Sequence, residues 1–288
     1  MKLITWNIQW GCGVDGRVDL GRIVATARRL ADFDVLCVQE VADNFAELEG
    51  NDDRDQFAEL SALLPGYAMV AAHGVDVAGQ GGRRRRFGNA IFTRYPVLSA
   101  RRHALPWPPD AGKTTMPRAA PEATLGTPMG PLRLVTTHLE YYSDLQRRAQ
   151  VLRLRQLHDE ACRRAAVPPA QGDANAAFNA TPQTTASILT GDFNFPPDDA
   201  SYEEIRRPLS DGGPAYRDAW PLVHGREKHP PTFCVHDHRH SKSPYCCDFV
   251  FVSADIASRV RRIEVDGETL DSDHQPVVVE IDDRAEGA

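Results

Sequence analysis

The chain has 288 residues, of which 42% are hydrophobic and 25% charged, with a formal net charge of −7. That composition is globular and excludes a disordered, collagen-like or membrane-spanning chain. The acidic balance argues against broad electrostatic affinity for duplex nucleic acid, and no apolar run is long enough for a transmembrane helix.

The first residues, Met1 to Ile8, lack a signal-peptide core, so a cytoplasmic location is expected, with no stable membrane insertion. The cysteines at 12, 37, 162, 234, 246 and 247 are then expected to be reduced thiols.

Residues 2–8 predict a strand. Leu20, Ile23, Val24, Ala27 and Leu30 recur at helical spacing behind Asp19, a suitable N-cap. Residues 34–40 predict a short buried strand ending in Gln39-Glu40. Phe57, Leu60 and Leu64 predict a helix closed by Pro65-Gly66, and residues 67–72 a strand. Gly74 to Arg86, glycine-rich and ending in four arginines, predicts a solvated basic loop. Strands are expected at 89–93, 97–104 and 132–138, with an irregular connection over 105–118. Leu154, Leu157, Ala161 and Ala165 stripe a following helix. Residues 167–186 read as a surface insertion. Strands return at 187–192, 248–252 and 276–281, and 208–247 predicts mostly irregular chain. No linker or fixed-period repeat divides the sequence, so a single domain over 1–288 is expected. The middle lacks the helices that a doubly wound parallel sheet requires, so two packed sheets with helices outside are expected.

The chemistry gathers at strand ends. Asn7, Glu40, His138, Asp192 with Asn194, and Asp273-His274 each close or precede an apolar strand. Core packing explains the apolar residues but not carboxylates, amides and imidazoles at one relative place. Buried ionised carboxylates are costly unless paired or metal-bound, and oxygen ligands collected at one edge suit a hard divalent ion such as Mg²⁺. Each piece alone reads better as a turn, a cap or an interior histidine; the ordered set does not.

The segments Trp6-Asn7, Gln39-Glu40, Thr137-His138-Leu139, Gly191-Asp192-Phe193-Asn194, Asp248-Phe249-Val250-Phe251 and Ser272-Asp273-His274 resemble, in this order, the endonuclease/exonuclease/phosphatase superfamily. The resemblance runs from residue 2 to residue 281. It implies a four-layered α/β sandwich: two packed, mainly antiparallel sheets flanked by helices. It also implies a phosphate-ester hydrolase dependent on Mg²⁺, with Mn²⁺ as a substitute. Glu40 would be the principal metal ligand, with Asn7 and Asp273 holding the ion directly or through water. Asp192 and Asn194 would activate the attacking water, His274 supported by Asp248 would bind phosphate oxygens, and His138 would contact the phosphate from the other side. Arg118 and Asn89 match substrate-side positions, and Tyr141 is a candidate for stacking on a base or aryl group.

These residue types suit the chemistry independently. A metal lowers the pKa of bound water, a carboxylate serves as general base, and imidazole and guanidinium groups donate to developing negative charge. The expected activity is that of a phosphodiesterase on a nucleic acid or another phosphodiester. The rivals are a phosphomonoesterase, a lipid-headgroup hydrolase and a non-catalytic binding module; the complete catalytic set disfavours the last. Cys246-Cys247 stand where relatives often carry Arg-Ile. Arg83 to Arg86 offer a possible attraction for phosphate-rich substrates. The tract Cys234, His236, His238, His240, Cys246 and Cys247 contains zinc-ligand residue types, but at no recognisable finger spacing. No protein partner is implied.

Overall fold

In a computed structural model, residues 1–167 and 181–285 are described. The strands are β1 (Lys2–Asn7), β2 (Val35–Asp43), β3 (Ala68–Ala78), β4 (Arg84–Thr93), β5 (Val97–Ala104), β6 (Ala119–Thr127), β7 (Gly130–His138), β8 (Ser187–Asp192), β9 (Tyr216–Asp218), β10 (Asp248–Ser253), β11 (Val260–Val265) and β12 (Val277–Ile281). The helices are α1 (Leu20–Leu30), α2 (Gln56–Leu63), α3 (Asp144–Ala166), α4 (Ala200–Arg206) and α5 (Ala219–His224).

Two six-stranded sheets result, ordered β11-β12-β1-β2-β4-β3 and β5-β6-β7-β8-β10-β9. Each contains one parallel pair, β1–β2 and β7–β8, among antiparallel neighbours. Alternation along β1 shows how the layers form. Leu3 faces the other sheet among Val35, Ile91, Leu134, Ile188 and Val250, while Ile4 and Trp6 pack towards Leu20, Ile23 and Phe57. On the far side, α3 and α4 lay Leu154, Leu157 and Tyr202 on Val135, Phe249 and Phe251 of the second sheet. The expected four-layered sandwich is thus the observed fold. Asp19 caps α1 as its sequence suggests, its carboxylate accepting the Arg22 N–H at 3.0 Å.

Two expectations are corrected. Gly74–Arg86 is not a loop: β3 and β4 extend through it as a hairpin, paired from Val75↔Phe87 to Ala78↔Arg84. Cross-strand charge pairs, including Arg84 Nε to Asp76 at 2.8 Å, support strands whose composition alone reads as coil. Residues 208–247 are mostly irregular, as expected, with β9 and α5 as their regular elements. Finally, β2 does not end at Glu40 but runs on to Asp43, with a register shift between Val38 and Val41. The expected insertion at 167–186 falls largely on 168–180, outside the described residues. Among the described residues no helix is long and apolar enough to cross a membrane.

Candidate active site

Strand direction brings the predicted residues to one edge. In the second sheet His138, Asp192 and Asp248 lie side by side, in the register His138↔Asp192↔Asp248. In the first sheet Asn7 ends β1, and Asp273 and His274 immediately precede β12, which is antiparallel to β1. Glu40 sits in the irregularity of β2 with φ of 61°, an uncommon conformation for a non-glycine residue. Such an irregularity re-aims a side chain, and here it turns Glu40 towards its neighbours. Gly191 has φ of 130°, and a Cβ there would stand 2.0 Å from the Thr137 carbonyl oxygen. Only glycine lets β8 approach β7 closely enough to set Asp192 beside His138.

Asn7 joins the two sheets. Its Nδ2 donates to Glu40 Oε1 at 3.1 Å and to Asp192 Oδ2 at 3.0 Å, while its Oδ1 accepts the Gln9 N–H at 3.1 Å. Asn7 Oδ1 keeps a second lone pair beyond the Gln9 contact. Asp192 Oδ1 accepts the Asn194 N–H at 2.9 Å, and Asn194 Nδ2 donates to the Leu139 carbonyl at 2.9 Å. Asp192 Oδ2 also faces His138 Nε2 at 3.4 Å and His274 Nε2 at 3.6 Å. The other ring nitrogen of His274 meets Asp248 Oδ2 at 2.9 Å, and the same oxygen accepts the Thr232 hydroxyl at 2.6 Å. Trp6 Nε1 donates to the His274 carbonyl at 2.9 Å, fixing the backbone behind the ring.

The electrostatics follow from this crowding. Burial first, then the charge of Asp273, pushes Glu40 up to about 7. Burial, then Asp248, pushes Asp192 up to about 6 against the pull of His274. Burial also raises Asp273. Burial opposes charge on His274, but Asp248 and Asp192 outweigh it and hold the imidazolium well above the usual range. Burial, reinforced by Arg118 and His274, holds His138 well below it, so His138 is neutral at pH 7. The two histidines are thereby driven to opposite protonation states.

Buried carboxylates raised together are the condition that a hard cation relieves, and Glu40 and Asp273 supply the oxygen donors such an ion takes. A second buried group, Asp192, Cys247 and His274, brings one potential ligand atom from each within 4.8 Å of the others. Burial, then Asp248 and Asp192, pushes the Cys247 thiol well up, which keeps it protonated in the metal-free chain. Among the described residues, Cys247 is the one member of the Cys/His tract in such a group, and His236 lies instead on the Gly267 carbonyl at 2.8 Å.

The remaining predicted residues surround this floor. Arg118 donates from Nε to Glu140 at 3.2 Å, and its buried Nη1 has no hydrogen-bond partner. Tyr141 lines the main cavity, its hydroxyl donating to the His240 carbonyl at 3.3 Å. Asn89 is buried beside Arg118 and His138 in a small hollow, with its amide donating to the Ala119 carbonyl at 2.8 Å. The arginine run lies apart from the floor, and its members face acids: Arg83 Asp53, Arg84 Asp76, Arg85 Glu47 and Arg86 Asp43. Sequence reasoning missed Thr232 and Glu140, which support Asp248 and Arg118. It also missed Gln9, Trp10, Phe45 and Phe87, which line the cavity. The apolar character of Phe45 and Phe87 was the available signal.

A family model described as "Endonuclease/Exonuclease/phosphatase family" matches residues 4–274. The chain belongs to this family and is an enzyme of its phosphoester-hydrolase class. No curated protein sequence matches it. Among solved structures it is similar to a mannosyl-6-phosphatase of Bacteroides thetaiotaomicron, with TM-score 0.66 and 20% identity over 98% of this chain and 99% of that one. Another Bacteroides thetaiotaomicron family protein gives TM-score 0.65 and 20% identity over 97% and 93%. A 3′ phosphatase from Neisseria, solved with a product DNA hairpin, gives TM-score 0.58 and 21% identity over 98% and 99%. At these identities the likeness concerns the fold.

Proposed function

We propose that the chain hydrolyses phosphodiesters with the help of a bound divalent cation, Mg²⁺ or in its place Mn²⁺. The observation that carries this reading is Asp192: a buried carboxylate oriented by Asn194 and Asn7, facing two imidazoles, and raised to about 6. A base titrating near neutrality, within reach of a water, is what hydrolysis at neutral pH requires. Glu40 and Asp273, with Asn7 beside them, would hold the cation, which when bound supplies Lewis acidity and an acidified water. Asp192 would orient an attacking water and take its proton. His274, charged and fixed by Asp248, donates from Nε2 to a phosphate oxygen. Neutral His138 donates from the other side, and Arg118 offers Nη1.

Charge favours a diester. Arg118 is paired with Glu140, His274 with Asp248, and His138 is neutral. The protein's own cations at the floor are therefore compensated, which suits the single charge of a diester better than the two of a monoester. A phosphomonoesterase is the second reading, favoured by the names of two structural relatives. The test compares bis(nitrophenyl) phosphate, nitrophenyl phosphate and single-stranded DNA with Mg²⁺, Mn²⁺ or EDTA, in the native chain and in Asp192→Asn. Metal-dependent diester turnover that Asp192→Asn loses is expected. Faster monoester turnover selects the second reading, and turnover indifferent to Asp192→Asn removes both.

A further inference from the structure

Above the polar floor lies a cavity of about 420 Å³ whose walls are largely apolar. Trp10, Phe45 and Phe87 line it, as do Tyr141, Tyr142 and Phe233. This is the size and character of a small-molecule pocket, apolar walls with few polar groups. It is not a basic track for a polyanion.

The walls are held in place. Phe45 and Phe87 meet edge to face with ring centroids 6.1 Å apart, and the Arg85 guanidinium covers Phe45 at 4.4 Å, itself anchored by Glu47. Gln9 and Trp10 both have φ of 46°, in the left-handed region that non-glycine residues avoid. Gln56 Nε2 donates to the Trp10 carbonyl at 2.8 Å, and Trp10 Nε1 donates to the Glu49 carbonyl at 2.9 Å. The surroundings thus hold a strained turn that keeps Trp10 at the cavity. Two buried polar atoms of the lining residues remain without partners: the Gln9 amide oxygen and Arg118 Nη1. Both atoms have almost no exposed surface, so a ligand satisfies them once the side chains of these lining residues turn into the cavity.

We infer that this cavity takes the flat aromatic ester group of a small phosphodiester, with Trp10, Phe45 and Phe87 as its walls, the Gln9 amide meeting a donor on that group and Arg118 meeting the phosphate. The inference rests on the reading above for the identity of the phosphate, and the cavity makes it more specific. Ring burial against aromatic walls makes an aryl ester bind better than an alkyl ester of equal charge.

The test is calorimetric titration of naphthyl methyl phosphate and dimethyl phosphate into the full-length Asp192→Asn chain with Mg²⁺, where both esters persist. The naphthyl ester is expected to bind about tenfold or more tightly, from the apolar area it buries. Trp10→Ala and Phe87→Ser, each added separately and checked for folding by circular dichroism, are expected to shrink that ratio severalfold. A hydroxynaphthyl ester is expected to bind better than the naphthyl ester, and Gln9→Leu to erase that difference. Equal binding of the naphthyl and dimethyl esters overturns the inference, as does a ratio that neither wall variant moves. So does displacement of the naphthyl ester by a lower concentration of single-stranded DNA. The hydrolase reading fails separately: an aryl preference in binding, with no hydrolysis of the naphthyl ester by the native chain and metal, retains the pocket and removes the activity.

Discussion

Replacing Asp248 with asparagine probes the charge arrangement most directly. Asp248 Oδ2 lies 2.9 Å from His274 Nδ1 and accepts the Thr232 hydroxyl at 2.6 Å, so asparagine fills nearly the same volume while removing the charge. Two unit charges about 4 Å apart interact by roughly 4 kcal/mol at an effective dielectric of about 20. Burial, the largest influence on His274, opposes that gain. What remains is the net value of a hydrogen bond to a charged group, about 1.5–3 kcal/mol. If His274 must be cationic to stabilise the transition state, kcat falls about tenfold to 150-fold by the usual conversion of about 1.36 kcal/mol per decade.

The pH profile carries the sign. His274 is raised in the folded chain, so the stability linked to its charge is present at low pH and lost as pH rises through the folded value, and the same loss of charge sets the alkaline limb of activity. The alkaline limb of kcat therefore moves to lower pH in the variant. The assay is kcat against pH on bis(nitrophenyl) phosphate with saturating Mg²⁺, and thermal melts give the folded fraction. An unchanged kcat with an unmoved alkaline limb would refute the assigned charge on His274.

Without metal, Glu40 at about 7 and Asp192 at about 6 lie above their ordinary values, so the stability linked to them is full below about pH 4 and lost as pH rises through 6 and 7. Melts of the EDTA-treated chain should accordingly fall in Tm from pH 5 to 8, and Mg²⁺ should restore Tm at pH 8; a flat profile unaffected by Mg²⁺ contradicts the carboxylate cluster as a cation site. Gly191→Ala places a methyl group 2.0 Å from the Thr137 carbonyl oxygen and should cost about 2 kcal/mol or more in urea unfolding; wild-type stability would mean that β7 and β8 can separate freely. Arg83→Ala with Arg84→Ala removes exposed arginines already facing Asp53 and Asp76, so KM for an oligonucleotide should change by less than about twofold. A large rise in KM would restore these arginines as a substrate contact.

The sandwich was legible because its central strands are nearly continuous apolar runs, and the site because its polar residues interrupt those runs at their ends. Asn7, His138 and Asp192 stand where the sequence puts them, since strand direction and register suffice to align them. Glu40 was legible as a candidate but not in its geometry: whether a strand ends or bulges depends on the pairing of β2 with β4, a long-range fact. The hairpin of β3 and β4 escaped for a related reason. Its tips are held by backbone pairing and by arginine–aspartate contacts across strands, which no apolar alternation announces. β6, Ala-Ala-Pro-Glu-Ala-Thr-Leu-Gly-Thr, contains a proline and no period of two. The cavity walls were hidden most deeply, because Trp10, Phe45, Phe87 and Phe233 come from four separate segments that only the fold assembles.

The site depends on the packing of both sheets, since neither carries it alone. The carboxylates and imidazoles divide between them, and Asn7 of the first sheet donates to Asp192 of the second. Beside Asn7 on the neighbouring strand, Gln39 donates from one amide group to Thr5 at 3.3 Å in its own sheet and to Thr136 at 2.9 Å across the interface. The Thr136 bond adds to the Asn7–Asp192 contact and to the apolar packing in holding the sheets in register with one another. The separation of Glu40 from Asp192, on which a shared cation and an oriented water would depend, is therefore set by a polar contact in the core as much as by the residues that face the substrate.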